Sequence, residues 1–177
     1  MNALPPGTRV GAWVLGEALG SGAQGQVYRA RRGGRGPVRA LKLLARFPEP
    51  GTPEHARVAR EVRLCTALKH PHLTRLLELV SADGEAALVS ELVPGQSLDR
   101  LLAGGALSPA RAHAIARGVA LALAHLHDKQ VLHRDLKPSN VMIQPGDVPR
   151  LVDFGLARGA DEATIVSEAG QSKGTLA

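Results

Sequence analysis

His133-Arg134-Asp135-Leu136-Lys137-Pro138-Ser139-Asn140 is followed downstream by Asp153-Phe154-Gly155. Two carboxylates, a lysine and an asparagine therefore sit in short turns between hydrophobic runs. Val131-Leu132 precedes the first turn, and residues 141–143 and 151–152 read as short strands. Strand-end loops that offer hard oxygen ligands suit Mg²⁺, which takes one or two carboxylates together with substrate phosphates. A polar loop of no chemical consequence is the plain alternative. Two ordered motifs in one chain argue against it.

Upstream, Gly20-Ser21-Gly22-Ala23-Gln24-Gly25-Gln26-Val27 lies between two expected strands, residues 13–19 and 27–31. A dinucleotide-binding glycine turn leads from a strand into a helix instead. The strand-to-strand context favours a loop that covers phosphates, because glycine lets backbone N–H groups come close to phosphate oxygens. Taken alone, the same residues also describe a flexible hairpin. A third strand, residues 38–44, carries Ala40-Leu41-Lys42. Ala40 and Lys42 share a face of it, so the lysine points with an apolar neighbour rather than as an ordinary solvated side chain.

Thr52-Pro53 is a helix start, a cap residue followed by proline. The helix is expected over residues 54–69, with Val58, Val62, Cys65 and Leu68 as its apolar stripe. Glu61 lies beside that stripe, and a carboxylate next to a buried face needs a partner. Lys42 is one, and Arg57 or Arg60 on the same helix are others. Strands at 73–81 and 86–92 flank the turn pair Asp83-Gly84. Residues 97–103 read as a short helix. Ser108-Pro109 opens a longer one to residue 128, with Ile115, Val119, Leu123 and Leu126 at helical spacing. His125 and His127 are two apart and cannot share a helix face, so they read, with His113, as structural or solvated. Beyond Leu156-Ala157-Arg158 the chain turns polar, with Thr164, Ser167, Ser172 and Thr175 as candidate phosphate acceptors.

The 177 residues are enough for one domain or two small lobes. The core is aliphatic, with Trp13, Tyr28, Phe47 and Phe154 as the aromatics. The net charge is +6, but the arginines are dispersed and aromatics for base stacking are scarce, which disfavours a nucleic-acid partner. One cysteine, Cys65, rules out an intrachain disulfide and fits a reducing compartment. No signal-peptide pattern and no apolar run of membrane-spanning length occur, so the expected place is the cytoplasm.

The ordered motifs resemble the eukaryotic-type (Hanks-type) serine/threonine protein kinases, in their bacterial form. His133 to Asn140 is similar to that family's catalytic loop, Asp153-Phe154-Gly155 to its metal loop, and Ala40-Leu41-Lys42 to its lysine strand, with Arg39 in place of the usual first valine. The resemblance implies an α+β, bilobal protein-kinase-like fold. Residues 1–12 would be a loose lead-in. Residues 13–93 would be an antiparallel-sheet N-lobe, and residues 94–177 an incomplete, mainly helical C-lobe. The family continues past Gly174-Thr175-Leu176-Ala177 into an A-P-E motif and further helices, so a chain truncated within the activation segment is expected.

What the resemblance implies for function is transfer of the γ-phosphoryl of ATP, with Mg²⁺ (or Mn²⁺) as the metal, to a Ser or Thr hydroxyl of a protein substrate. Gly20, Ser21, Gly22, Ala23 and Gly25 would cover the phosphates. Lys42, held by Glu61, would bind them. Val27, Ala40, Glu91, Val93 and Met142 would complete the nucleotide site, with Ser90 small at its back. Asn140 and Asp153 would hold the metal. Asp135 would accept or orient the hydroxyl proton, Lys137 would neutralise the moving phosphoryl group, and Arg134 would pair with a phosphorylated activation segment. The alternative is an inactive or weak fragment that acts as a nucleotide-binding or interaction module.

Overall fold

The computed structural model describes residues 3–22, 25–82 and 84–153. Six strands form one antiparallel sheet in the order β1-β2-β3-β4-β6-β5: β1 (Arg9–Val10), β2 (Trp13–Gly22), β3 (Gly25–Arg32), β4 (Arg39–Leu44), β5 (Leu76–Ala82) and β6 (Glu85–Glu91). A helix, α1 (Pro53–Ala67), falls between β4 and β5. After β6 come β7 (Gln96–Ser97), α2 (Leu98–Ala103), α3 (Pro109–Asp128), β8 (Val141–Gln144) and β9 (Val148–Leu151). The last three strands make a second sheet in the order β7-β8-β9. The result is a bilobal kinase-like arrangement, a sheet lobe with one helix and a lobe carrying the long helix.

Local chemistry sets the helix starts. The Thr52 hydroxyl accepts the His55 N–H at 3.2 Å, and Pro53 takes the first helical position. Ser108 and Pro109 repeat the device at α3. Val58, Val62 and Cys65 of α1 are buried at helical spacing, as are Ile115, Ala122 and Leu126 of α3.

The apolar interior has two parts. On one face of the six-stranded sheet, Trp13, Leu15, Tyr28, Leu41, Leu43 and Val89 form an all-sheet core. The other face joins Leu44, Leu88 and α1 to α3 and the second sheet in one continuous core. Strand β4 is thus buried on both sides, which fixes the direction of Lys42 between Leu41 and Leu43.

Several boundaries differ from the sequence expectation. Residues 1–12 were expected to be loose, yet Val10 is buried, β1 pairs with β2, and the Leu4 N–H donates to the Tyr28 hydroxyl at 2.8 Å. The strand expected from residue 73 starts at Leu76. Leu73 instead bridges Leu151, and the Thr74 N–H donates to the Leu151 carbonyl at 2.9 Å, tying the connection after α1 to β9. Strand β7 had no sequence signal, since two residues are too few to show a period.

Gly118 marks the tightest seam between α3 and β9. A Cβ there would lie 2.5 Å from the Pro149 ring and 3.0 Å from His72. His72 is itself held, its Nδ1 2.9 Å from the Pro149 carbonyl. Gly118→Val should therefore cost about 2 kcal/mol by overpacking, lowering the melting temperature by roughly 4–8 °C in a circular-dichroism melt. An unchanged melt would mean that α3 and β9 part without loss.

No helix among the described residues is long and apolar enough to cross a membrane.

Candidate active site

The cleft between the two sheets is built from β4, α1, the loop 133–140 and the residues after β9. Lys42 is buried to 8% exposure, and its Nζ lies 3.1 Å from Asp153 Oδ2. Asp153 is set beside the loop because the Val152 N–H donates to the Asn140 carbonyl at 3.0 Å. Asn140 is buried in a single 3-10 turn, Pro138–Asn140. Its amide nitrogen donates to the Asp135 backbone carbonyl at 2.8 Å and to Asp135 Oδ2 at 3.0 Å. With its nitrogen so engaged, its amide oxygen is the atom offered to a cation. Lys137 Nζ donates to the same Asp135 oxygen at 2.8 Å. Asp135 thus accepts two side-chain bonds on one oxygen, which fixes the orientation of the carboxylate.

His133 supports this loop from beneath. It is buried at 3% exposure. Burial holds its imidazole below the ordinary range, against backbone hydrogen bonding at Val152 and the charges of Asp135 and Asp153. The folded chain therefore resists protonating His133, whereas the unfolded chain takes that proton near pH 6.5. Stability from this group is present above about pH 6.5 and is lost as the pH falls below it. His70, lowered by burial and by His125 and His72, acts with the same sign. A melting temperature that falls from pH 7.5 to pH 5.5, and falls less in His133→Leu, is the expected result. An equal fall in the variant would remove His133 from the account.

The expected ion pair between Lys42 and Glu61 is not the one formed. Lys42 reaches Asp153, while Glu61 Oε1 accepts from Arg134 Nη1 at 3.2 Å. The physical reason is competition. Glu61 points down from α1 towards the loop, where a guanidinium offers a directed donor, and Lys42 finds a nearer carboxylate. Arg134 was expected to serve a phosphorylated segment, and only the spatial fold brings it to Glu61. Beside this pair, burial and the Glu61 charge push the Cys65 thiol up to about 12, which leaves it inert. Arg134 and Asp153 both have positive φ, 59° and 57°. Such backbone is uncommon outside glycine, and strain of this kind gathers at functional sites.

The glycines separate by cause. Gly25 has φ +137°, and a Cβ on it would meet the Leu43 carbonyl at 1.8 Å, so the fold itself requires it. A Cβ on Gly20 or Gly22 would meet nothing within 4 Å. Their lack of a side chain answers no packing need, which fits a loop that must come close to phosphate oxygens. Ser21 lies in β2 between them, paired with Gln26, and Ala23 lies outside the described residues. Val27 pairs with Lys42, and Ala40 with Ser90. Glu91 closes β6 and accepts from Arg150 Nη2 at 2.9 Å, a bond with no sequence signal. Val93 follows in the link to β7, and Met142 sits on β8 opposite Ser97. The donor set fits a nucleotide with a divalent metal, with Asn140 and Asp153 as hard oxygens beside a buried lysine. Phe154, Gly155 and the serines and threonines beyond lie outside the described residues.

The family model described as protein kinase domain matches residues 13–175. The chain is 39% identical over 162 residues to serine/threonine-protein kinase pkn2 of Myxococcus xanthus, covering 89% of this chain and 20% of that protein. It is 35% identical over 170 residues to serine/threonine-protein kinase PknD of Mycobacterium tuberculosis, covering 96% of this chain and 26% of that protein. It therefore spans about a fifth to a quarter of the length of these curated relatives. Among solved structures, the PknI kinase domain of Mycobacterium tuberculosis matches with a TM-score of 0.76 at 29% identity, covering 87% of this chain and 62% of that one. Rad53 1–466 in complex with AMP-PNP matches with a TM-score of 0.72 at 29% identity, covering 82% and 38%.

Proposed function

Since the chain belongs to the protein kinase domain family, we propose that it transfers the γ-phosphoryl group of ATP to a Ser or Thr hydroxyl of a protein substrate in the cytoplasm. One observation carries this reading: Lys42, Asp153, Asn140, Asp135 and Lys137 form one linked set at a single cleft. Nucleic acid has no part in it.

The step needs positioning more than covalent help. Gly20 and Gly22 let the β2–β3 turn settle over the phosphates. Lys42 exchanges its bond with Asp153 for the α- and β-phosphates. Glu91 and Val93 offer backbone groups to the adenine edge, and Val27, Ala40 and Met142 enclose the ring. Mg²⁺ bound to Asn140 and Asp153 would neutralise charge on the β- and γ-oxygens. The substrate oxygen forms a bond to the γ-phosphorus as the bond to the β–γ bridging oxygen breaks. The hydroxyl proton passes to the Asp135 carboxylate, and ADP leaves with the former bond pair. Lys137 offsets the negative charge spread over the moving group.

A second reading has its own observation. The pairs Lys42–Asp153 and Glu61–Arg134 occupy the cleft in a resting pattern, which favours nucleotide binding without transfer until Glu61 is released. One experiment separates the two. The chain is given Mg-ATP labelled at the γ-phosphate and a generic basic protein, and label on Ser or Thr is counted. Transfer supports the first reading. Nucleotide binding without label supports the second, and no nucleotide binding removes both.

A further inference from the structure

Away from the cleft, a cavity of about 380 Å³ opens where the connection after α1 meets the end of β6 and β9. Leu68 and Leu73 give it an apolar wall. Its charged lining is Lys69, Arg75, Arg150 and Glu91. Apart from the Glu91 backbone, none of these groups enters the proposed transfer.

The charges do not balance. Three cations face one carboxylate. That carboxylate is taken by Arg150 Nη2 at 2.9 Å, while Arg150 Nε is buried with no acceptor among the described residues. Neither Lys69 nor Arg75 has an ion-pair partner among the described residues. The C-terminal end of α1 nearby adds about half a negative charge, so the cavity remains short of between one and two. His70 also lines it. Its Nδ1 accepts the His72 N–H at 3.2 Å, so a neutral ring carries its proton on Nε2 as a donor.

We propose that this cavity binds a phosphomonoester dianion through Lys69, Arg75 and Arg150. A phosphomonoester carries about −1.5 to −2 at neutral pH, which covers the missing charge in one group, and its several oxygens reach more of the three cations than the two of a carboxylate. Arginine supplies a planar edge of donors and lysine a point charge, the pair of chemistries that suits tetrahedral phosphate. The source can be a free metabolite or a phosphorylated side chain, and the ligand chemistry is the same.

The test is calorimetric titration of the 177-residue chain. One arm uses glycerol 3-phosphate, the other a short phosphoserine peptide with blocked ends. Saturable binding of either supports the site, and the tighter arm names the source. Lys69→Ala and Arg75→Ala should each weaken binding about tenfold, the loss of one charge-assisted bond. Both side chains are exposed, so the melting temperature should hold. Lys42→Met should leave this binding unchanged, because Lys42 belongs to the cleft. No saturable binding in either arm, or affinity in Lys69→Ala and Arg75→Ala unchanged from the parent chain, overturns the proposal.

Discussion

Asp135→Asn should lower phosphoryl transfer by about 10²–10⁴-fold, the range of a single positioned proton acceptor. The substitution keeps the shape of the side chain. Lys137 Nζ and Asn140 Nδ2 still find an amide oxygen where Oδ2 now lies at 2.8 and 3.0 Å. The 3-10 turn, the bond from Asn140 Nδ2 to the Asp135 backbone carbonyl and the bond from the Val152 N–H to the Asn140 carbonyl are untouched, so the variant should fold and bind nucleotide as before. What it loses is the capacity to take the hydroxyl proton. Label transfer measured beside nucleotide affinity separates these effects. Transfer within threefold of the parent chain would end the assignment of Asp135.

Lys42→Met should cost about 10²–10³-fold in transfer, the scale of one removed stabilising donor in an enclosed site. Here the loss should divide between a higher KM for ATP and a lower kcat, because the ammonium touches the phosphates both before and during the step. Methionine fills the buried stem position between Leu41 and Leu43, so packing is kept. Asp153 is left without its 3.1 Å partner, but its side chain is 35% exposed and water can replace the lysine. Lys42→Arg should recover charge without geometry and fall between the two. Unchanged ATP affinity in Lys42→Met would place the phosphates elsewhere.

Much of this architecture was legible in the residues. The loop 133–140 and Asp153 carry enough chemistry in order to be read directly, and Thr52-Pro53 and Ser108-Pro109 announced both main helices. Lys42 could be placed inward because alternation along a strand is a local rule. The partner of Glu61 was not readable. Arg134 is distant in sequence, and which of two cations a carboxylate meets depends on how far α1 sits from β4. The same holds for Arg150 with Glu91. The sequence alone also could not tell Gly25, which the Leu43 carbonyl requires, from Gly20 and Gly22, which no neighbour requires. Strand β1 was hidden because Pro5-Pro6-Gly7 suggests irregular chain, while the burial of Val10 is a tertiary event.

Trp13 is the single tryptophan and Tyr28 the single tyrosine. Both sit in the all-sheet core, with the Trp13 indole N–H donating to Glu78 Oε1 of β5 at 2.6 Å. Near-ultraviolet light absorbed or emitted by these rings therefore reports one half of the molecule, while far-ultraviolet ellipticity is weighted towards the helices, of which α3, with 20 residues, is the longest. Emission and ellipticity that melt together describe one cooperative unit. Emission that lags behind ellipticity means that the half carrying α3 gives way first, so the protein holds a built-in optical marker for the order in which its two halves come apart.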